Sequence, residues 1–134
     1  IVGFAAAVQQ AMADRDERHR RLSGLRDQLW NGLNDQLPSI ERNGAAAPRL
    51  AHNLNITLPG VSGSRLHRSL RPHLACSSGS ACSNGAPSHV LQALGRSRAD
   101  AEASLRLSLG RSTTANAVEQ AIASIVEAVA AQQT

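Results

Sequence analysis

Asn53-Leu54-Asn55-Ile56-Thr57-Leu58 and, further on, Leu105-Arg106-Leu107-Ser108-Leu109 alternate polar with apolar side chains. A period of two is that of a β-strand with one face buried. Fully buried parallel strands read as unbroken apolar runs, so these two belong to an antiparallel or mixed sheet. Pro59-Gly60 ends the first strand. Ser39–Asn43 predicts a further short strand, closed by the turn signal Asn43-Gly44, with Ala45–Pro48 as loop.

Helical periodicity surrounds these strands. Leu22, Leu25, Leu29, Leu33 and Leu37, with Trp30 beside them, form one apolar stripe. The spacing predicts a helix over residues 1–37, interrupted near Ser23 and Gly24 and stopped by Pro38. Ser62 or Ser64 caps a short helix carrying Leu66 and Leu70, ended by Pro72. Ser88 caps another with Val90, Leu91 and Leu94, ending at Gly95. Arg98 to Ala103 adds a turn or two. Thr113 or Thr114 caps a final helix that buries Val118, Ile122, Ile125, Val126 and Val129. Between the second and third of these helices, Ala75 to Ser88 is too polar and glycine-rich for a core element and reads as an exposed, mobile loop. The expected fold is α/β: one domain over residues 1–134, a small, mainly antiparallel sheet covered by helices on one face.

Composition narrows the function. The chain has 134 residues, 42% of them hydrophobic, enough for one real core. Phe4 and Trp30 are the only aromatics, so that core is aliphatic. All fourteen cationic residues are arginine; without lysine, no side chain here can form a Schiff base. The formal charge is +4, but the arginines are scattered. The one cluster, Arg15, Arg18, Arg20 and Arg21, alternates with Asp14, Asp16 and Glu17, the pattern of a solvated helix face rather than a nucleic-acid site. No signal peptide is visible in these residues, and no apolar run among them is long enough to span a bilayer. Two cysteines make no secreted disulfide framework, so a reducing, cytoplasmic compartment is expected. A chain beginning at Ile1 rather than Met is expected to be a fragment, a processed form or a truncated polypeptide.

Few residues carry chemistry. Cys82 sits among small polar neighbours in Ser77-Ser78-Gly79-Ser80-Ala81-Cys82-Ser83-Asn84-Gly85, where its thiol is reachable. Composition leaves it open between a used nucleophile and a surface thiol without a role. Cys76, after Leu74 and Ala75, reads as a small hydrophobe. Zinc binding by the two cysteines with His73 and His89 has the wrong ligand spacing, and a disulfide needs an oxidising compartment. Arg106 interrupts an aliphatic strand; it is the polar half of the alternation or a bidentate carboxylate receptor. Asn53 and Asn55 share a face that is the strand's wet side or part of a cleft, with His52 flanking them. His19, His67 and His73 look like surface residues, and His89 like a residue near a helix start.

Ser77-Ser78-Gly79-Ser80-Ala81-Cys82 resembles the active-cysteine loop of cysteine desulfurases of the NifS/IscS type. Further stretches follow that family in order. Asn53-Leu54-Asn55-Ile56 resembles its strand before the loop, and Pro87-Ser88-His89-Val90-Leu91 with Ala93-Leu94-Gly95 the helix after it. Ser104-Leu105-Arg106-Leu107-Ser108-Leu109-Gly110-Arg111 with Thr113-Thr114 resembles its arginine strand, and Gly24-Leu25-Arg26-Asp27 to Trp30-Asn31-Gly32-Leu33 its long helix. The resemblance implies the small C-terminal domain of a pyridoxal 5'-phosphate (PLP) enzyme of the aspartate-aminotransferase-like, fold-type I class. It implies Cys82 as nucleophile and Arg106 as receptor of the substrate carboxylate, with Asn53 as a further substrate-binding candidate and no metal. It also implies L-cysteine as substrate, L-alanine as product, and a persulfide on Cys82 passed to a sulfur-acceptor or iron–sulfur scaffold protein, the complete enzyme being a homodimer. Without a lysine, the large PLP domain is expected to be absent from this chain and the chain alone to be inactive. A non-catalytic small domain that docks acceptors or regulates a full-length desulfurase is the alternative. The stretch between Cys82 and Pro87 is slightly shorter than the family's, which puts the reach of the loop and the choice of acceptor in question.

Overall fold

The two alternating stretches lie side by side as antiparallel β2 (Asn53–Thr57) and β3 (Ser104–Ser108). Leu54 stands opposite Leu107, Asn55 opposite Arg106 and Ile56 opposite Leu105. β1 (Glu41–Arg42) pairs antiparallel with the other edge of β2, giving a three-stranded sheet in the order β1-β2-β3. The computed structural model describes residues 1–77 and 86–133. Most of the expected loop, including Cys82, lies outside the described residues.

Leu54, Ile56, Leu105 and Leu107 all fall on one face of the sheet and are buried. Three helices close that face: α2 (Arg15–Gln36), α3 (Gly63–Leu70) and α6 (Ala115–Gln133). α2 contributes Leu22, Leu29 and Leu33; α3 contributes Leu66 and Leu70; α6 contributes Val118, Ile122, Ile125 and Val129. These spacings of three, four and seven are a helical stripe against a flat apolar face. Thr114 caps α6, its Oγ1 accepting from the Ala117 N–H at 3.1 Å. Two short helices, α4 (His89–Ala93) and α5 (Arg98–Glu102), are capped by Ser88 and Ser97. Gly95, at φ +88°, takes the left-handed turn after α4.

The expected strands form, and Ser88 and Thr114 cap their helices; Ser62 starts α3 without a side-chain capping bond, and one helix differs. The long N-terminal helix breaks at Asp14 rather than at Ser23-Gly24, leaving α1 (Val2–Ala13) ahead of α2. Asp14 leaves helical geometry, and its carboxylate pairs with the side chains of Arg18 and Arg111 rather than capping the backbone of α2. Gly24 stays helical because Leu22, Leu29 and Leu33 anchor its segment in the core. On the sheet's reverse face, Ser104 donates to the Asp100 carbonyl of α5 and Arg96 to Asn43.

Glycines report the close approaches. A Cβ placed on Gly63 would overlap the carbonyl of Glu102, where the start of α3 meets the end of α5. A Cβ on Gly24 meets nothing within 4 Å. Gly63→Ala is therefore expected to lower stability by roughly 1–3 kcal/mol through forced backbone shifts. Gly24→Ala is expected to raise it by roughly 0.5–1 kcal/mol by removing a helix-weakening glycine. Urea unfolding of the two variants checks both signs.

Candidate active-site cleft

Ser77 is the last described residue before Cys82, and it is tied to Arg106. The Arg106 N–H donates to the Ser77 carbonyl at 2.7 Å, and the Ser77 N–H donates to the Arg106 carbonyl at 3.2 Å. The two residues form an antiparallel bridge on the free edge of β3. The guanidinium is exposed, with Nη2 3.5 Å from Ser77 Oγ. Arg106 thus anchors the approach to Cys82 by its backbone, while its exposed guanidinium touches Ser77 Oγ and faces solvent.

Asn55, rather than Asn53, stands directly across from Arg106; Asn53 pairs with Ser108, one step along the same face. Asn55 is engaged, its Oδ1 accepting from Asn43 Nδ2 at 2.7 Å. From there a polar network runs across the sheet. Asn43 Nδ2 also donates to Thr57 Oγ1 at 2.8 Å, and Thr57 and Ser104 hydroxyls meet at 2.8 Å. Ser104 Oγ donates to the Asp100 carbonyl at 2.7 Å. Arg96 Nε donates to Asn43 Oδ1 at 2.6 Å and its Nη1 pairs with Glu41. Arg49 Nη2 donates to the Asn43 carbonyl at 3.0 Å. Asn43, Thr57 and Ser104 are buried, and buried polar groups persist only when paired. The period of β2 and β3 signalled a polar face, but nothing local marked Asn43 or Arg96 as its partners.

α3 separates two clefts. One, of about 650 Å³, lies between α3 and residues 74–77 and is walled by Ser64, His67, Arg68, Arg71 and Cys76, with Ser77 at its edge. The other, of about 510 Å³, is bounded by Ser64, His67, Ala86, Pro87 and Glu102. The residues on either side of the 78–85 segment therefore open onto the same helix. His67, expected at the surface, is half-buried in the wall between the clefts. Its Nδ1 lies 3.8 Å from Cys76 Sγ. Burial pushes His67 below its ordinary value, with the Ser104 backbone opposing the shift to a lesser degree. Cys76 packs against the core, and burial pushes its thiol up. His19, His52, His73 and His89 are exposed.

A raised thiol value means a protonated, slow sulfur at neutral pH. With Cys82→Ser leaving Cys76 as the only thiol, alkylation by iodoacetamide at neutral pH is expected to run slower than on an unstructured cysteine peptide. The rate should climb only at pH above the ordinary thiol range. Mass spectrometry of the product reads it.

Comparison with known proteins adds the family context. The pattern described as Aminotransferase class-V matches residues 1–121. Cysteine desulfurase IscS of Shewanella piezotolerans is 41% identical over 131 residues, covering 96% of this chain and 32% of that protein. The protein of the same name from Methylococcus capsulatus is 42% identical over 132 residues, covering 97% of this chain and 32% of that protein. Among solved structures, a NifS-like protein from Rickettsia africae superposes with a TM-score of 0.82 at 23% identity, over 94% of this chain and 33% of that one. A second structure, titled NifS-like protein, gives a TM-score of 0.81 at 25% identity over 96% of this chain and 33% of its own. The chain spans about a third of the length of the curated relatives it matches.

Proposed function

Because this chain belongs to the aminotransferase class-V family, we propose that it is the C-terminal small domain of a cysteine desulfurase, with Cys82 as nucleophile and Arg106 as substrate receptor. The complete enzyme converts L-cysteine to L-alanine and hands the sulfur to an acceptor or iron–sulfur scaffold protein. We take it to be a homodimer of a reducing, cytoplasmic compartment. No helix among the described residues is long and apolar enough to cross a membrane.

PLP would supply the electron sink in the complete enzyme. This chain cannot anchor it: the sequence holds no lysine, so the residues present do not fit a PLP Schiff base. What the chain contributes is a receptor and a sulfur carrier. The Arg106 guanidinium clamps the substrate carboxylate through paired hydrogen bonds and fixes its orientation. The Cys82 thiolate attacks the substrate sulfur. An S–S bond forms as the C–S bond breaks, the bonding pair returns to carbon, and a proton on that carbon completes alanine.

The single observation that supports this reading is the Ser77–Arg106 bridge. It ties the start of the Cys82 segment to the residue that would hold the substrate. Five residues beyond Ser77, Cys82 has a reach of at most about 18 Å along the chain, which supports placing nucleophile and receptor in one neighbourhood.

In the complete enzyme, Cys82→Ser is expected to abolish cysteine-dependent sulfide release in the presence of dithiothreitol while the yellow cofactor absorbance persists. Equal sulfide output from variant and wild type would remove Cys82 from the mechanism. Arg106→Ala is expected to raise the KM for cysteine about a hundredfold, the scale of about 3 kcal/mol for a lost charge-assisted pair. Circular dichroism should stay unchanged, because the side chain is exposed. An unaltered KM and kcat would return Arg106 to the plain polar half of its strand.

A further inference from the structure

Residues 42–99 contain seven arginines and no aspartate or glutamate. Every carboxylate side chain of the protein lies before or after that stretch. Three of its arginines, Arg65, Arg68 and Arg71, fall on or at the end of α3 and are exposed. Among the described residues, ion pairs engage Arg18, Arg26, Arg96, Arg98 and Arg111, and none engages these three. The segment 78–85 has no carboxylate in its sequence with which to neutralise them.

α3 sorts its side chains cleanly. Gly63, Leu66 and Leu70 face the core, while Ser64, His67, Arg68 and Arg71 wall the 650 Å³ cleft that ends at Ser77. Arg65 stands one turn before Arg68 and is exposed. The cationic wall therefore sits beside the start of the segment that carries Cys82.

We propose that the α3 face formed by Arg65, Arg68 and Arg71, with the cleft beside it, is the docking surface for an acidic, cysteine-bearing acceptor protein. The inference rests on the desulfurase reading and deepens it: a sulfur to be handed on needs its acceptor held close, and guanidinium groups without ion-pair partners select clustered carboxylates. Long-range attraction also raises the encounter rate. Nucleic acid fits less well. The only aromatics are Phe4 on α1 and Trp30, whose ring lies 5.0 Å beneath Arg42, so the patch offers no base-stacking surface. Arg65 to Arg71 spans only about 9 Å of helix, short of the six to ten phosphate contacts of a duplex site.

The test uses the complete enzyme and three fluorescein-labelled peptides of equal length, each with one central cysteine: Asp/Glu-rich, Ser/Ala-rich and Lys-rich. Anisotropy reads binding; mass spectrometry reads persulfide transfer; dithiothreitol-supported sulfide release reads basal turnover. The acidic peptide is expected to bind and accept sulfur at least tenfold better than the neutral one at low salt, with the preference fading at high salt. Arg65→Gln/Arg68→Gln/Arg71→Gln should erase the preference, read as the ratio of acidic to neutral peptide so that any change in turnover common to both cancels. Arg65→Glu/Arg68→Glu/Arg71→Glu should reverse it toward the Lys-rich peptide, a gain that a misfolded protein does not show. Basal turnover without charge preference, or a preference that survives both variants, overturns the docking surface. A duplex DNA bound more tightly than the acidic peptide, and released by the same variants, replaces the acceptor with nucleic acid and overturns it too. Acidic-peptide binding in an enzyme that releases no sulfide supports the surface and overturns the desulfurase reading instead.

Discussion

The register that sets Asn55 opposite Arg106 governs the whole molecule. Side chains alternate along a strand, so a slip of one residue would move every leucine of β2 or β3 to the wrong face. In this register Leu54, Ile56, Leu105 and Leu107 form one continuous apolar surface, and α2, α3 and α6 have something to close upon. The same pairing turns Arg106 outward at the free edge of β3, where Ser77 takes its backbone. Core and candidate site therefore depend on one alignment of two five-residue strands.

The reverse face does a different job. Thr57, Ser104 and Asn43 lie at 0%, 1% and 5% exposure, so their polar groups are out of reach of water. Their mutual hydrogen bonds offset the cost of that burial. They also fix what lies above: Arg96 is held by Asn43 and Glu41, and the end of α5 by Ser104. α4 packs on α5, so the chain leaving residue 86 is seated by this network just as the chain reaching residue 77 is seated by Arg106. Two unrelated sets of hydrogen bonds define the flanks of the segment carrying Cys82.

Much of this was legible in the sequence because it is local. Period-two alternation marked β2 and β3, leucines at helical spacing marked α2, and valines and isoleucines at the same spacing marked α6. Ser88 and Thr114 marked helix starts through capping bonds that act over three residues. What escaped was non-local. Asn43 is an ordinary turn asparagine until Thr57, Ser104 and Arg96 come to it from 14, 61 and 53 positions away. His67 looks solvent-exposed until α3 folds against residues 74–77. The break at Asp14 escaped for the opposite reason. Glycine is the stronger helix breaker on propensity alone, but buried leucines on either side of Gly24 outweigh it, while nothing buried holds the turn at Asp14.

α1 buries none of its residues, and Phe4 and Met12 are 76% and 71% exposed. A twelve-residue helix standing alone in water is marginal. This segment therefore contributes almost nothing to the folding equilibrium of the rest and draws its order from whatever it rests against. Purified by itself, the polypeptide carries a greasy handle at one end, and its solubility will be set by that handle rather than by the well-packed body behind it.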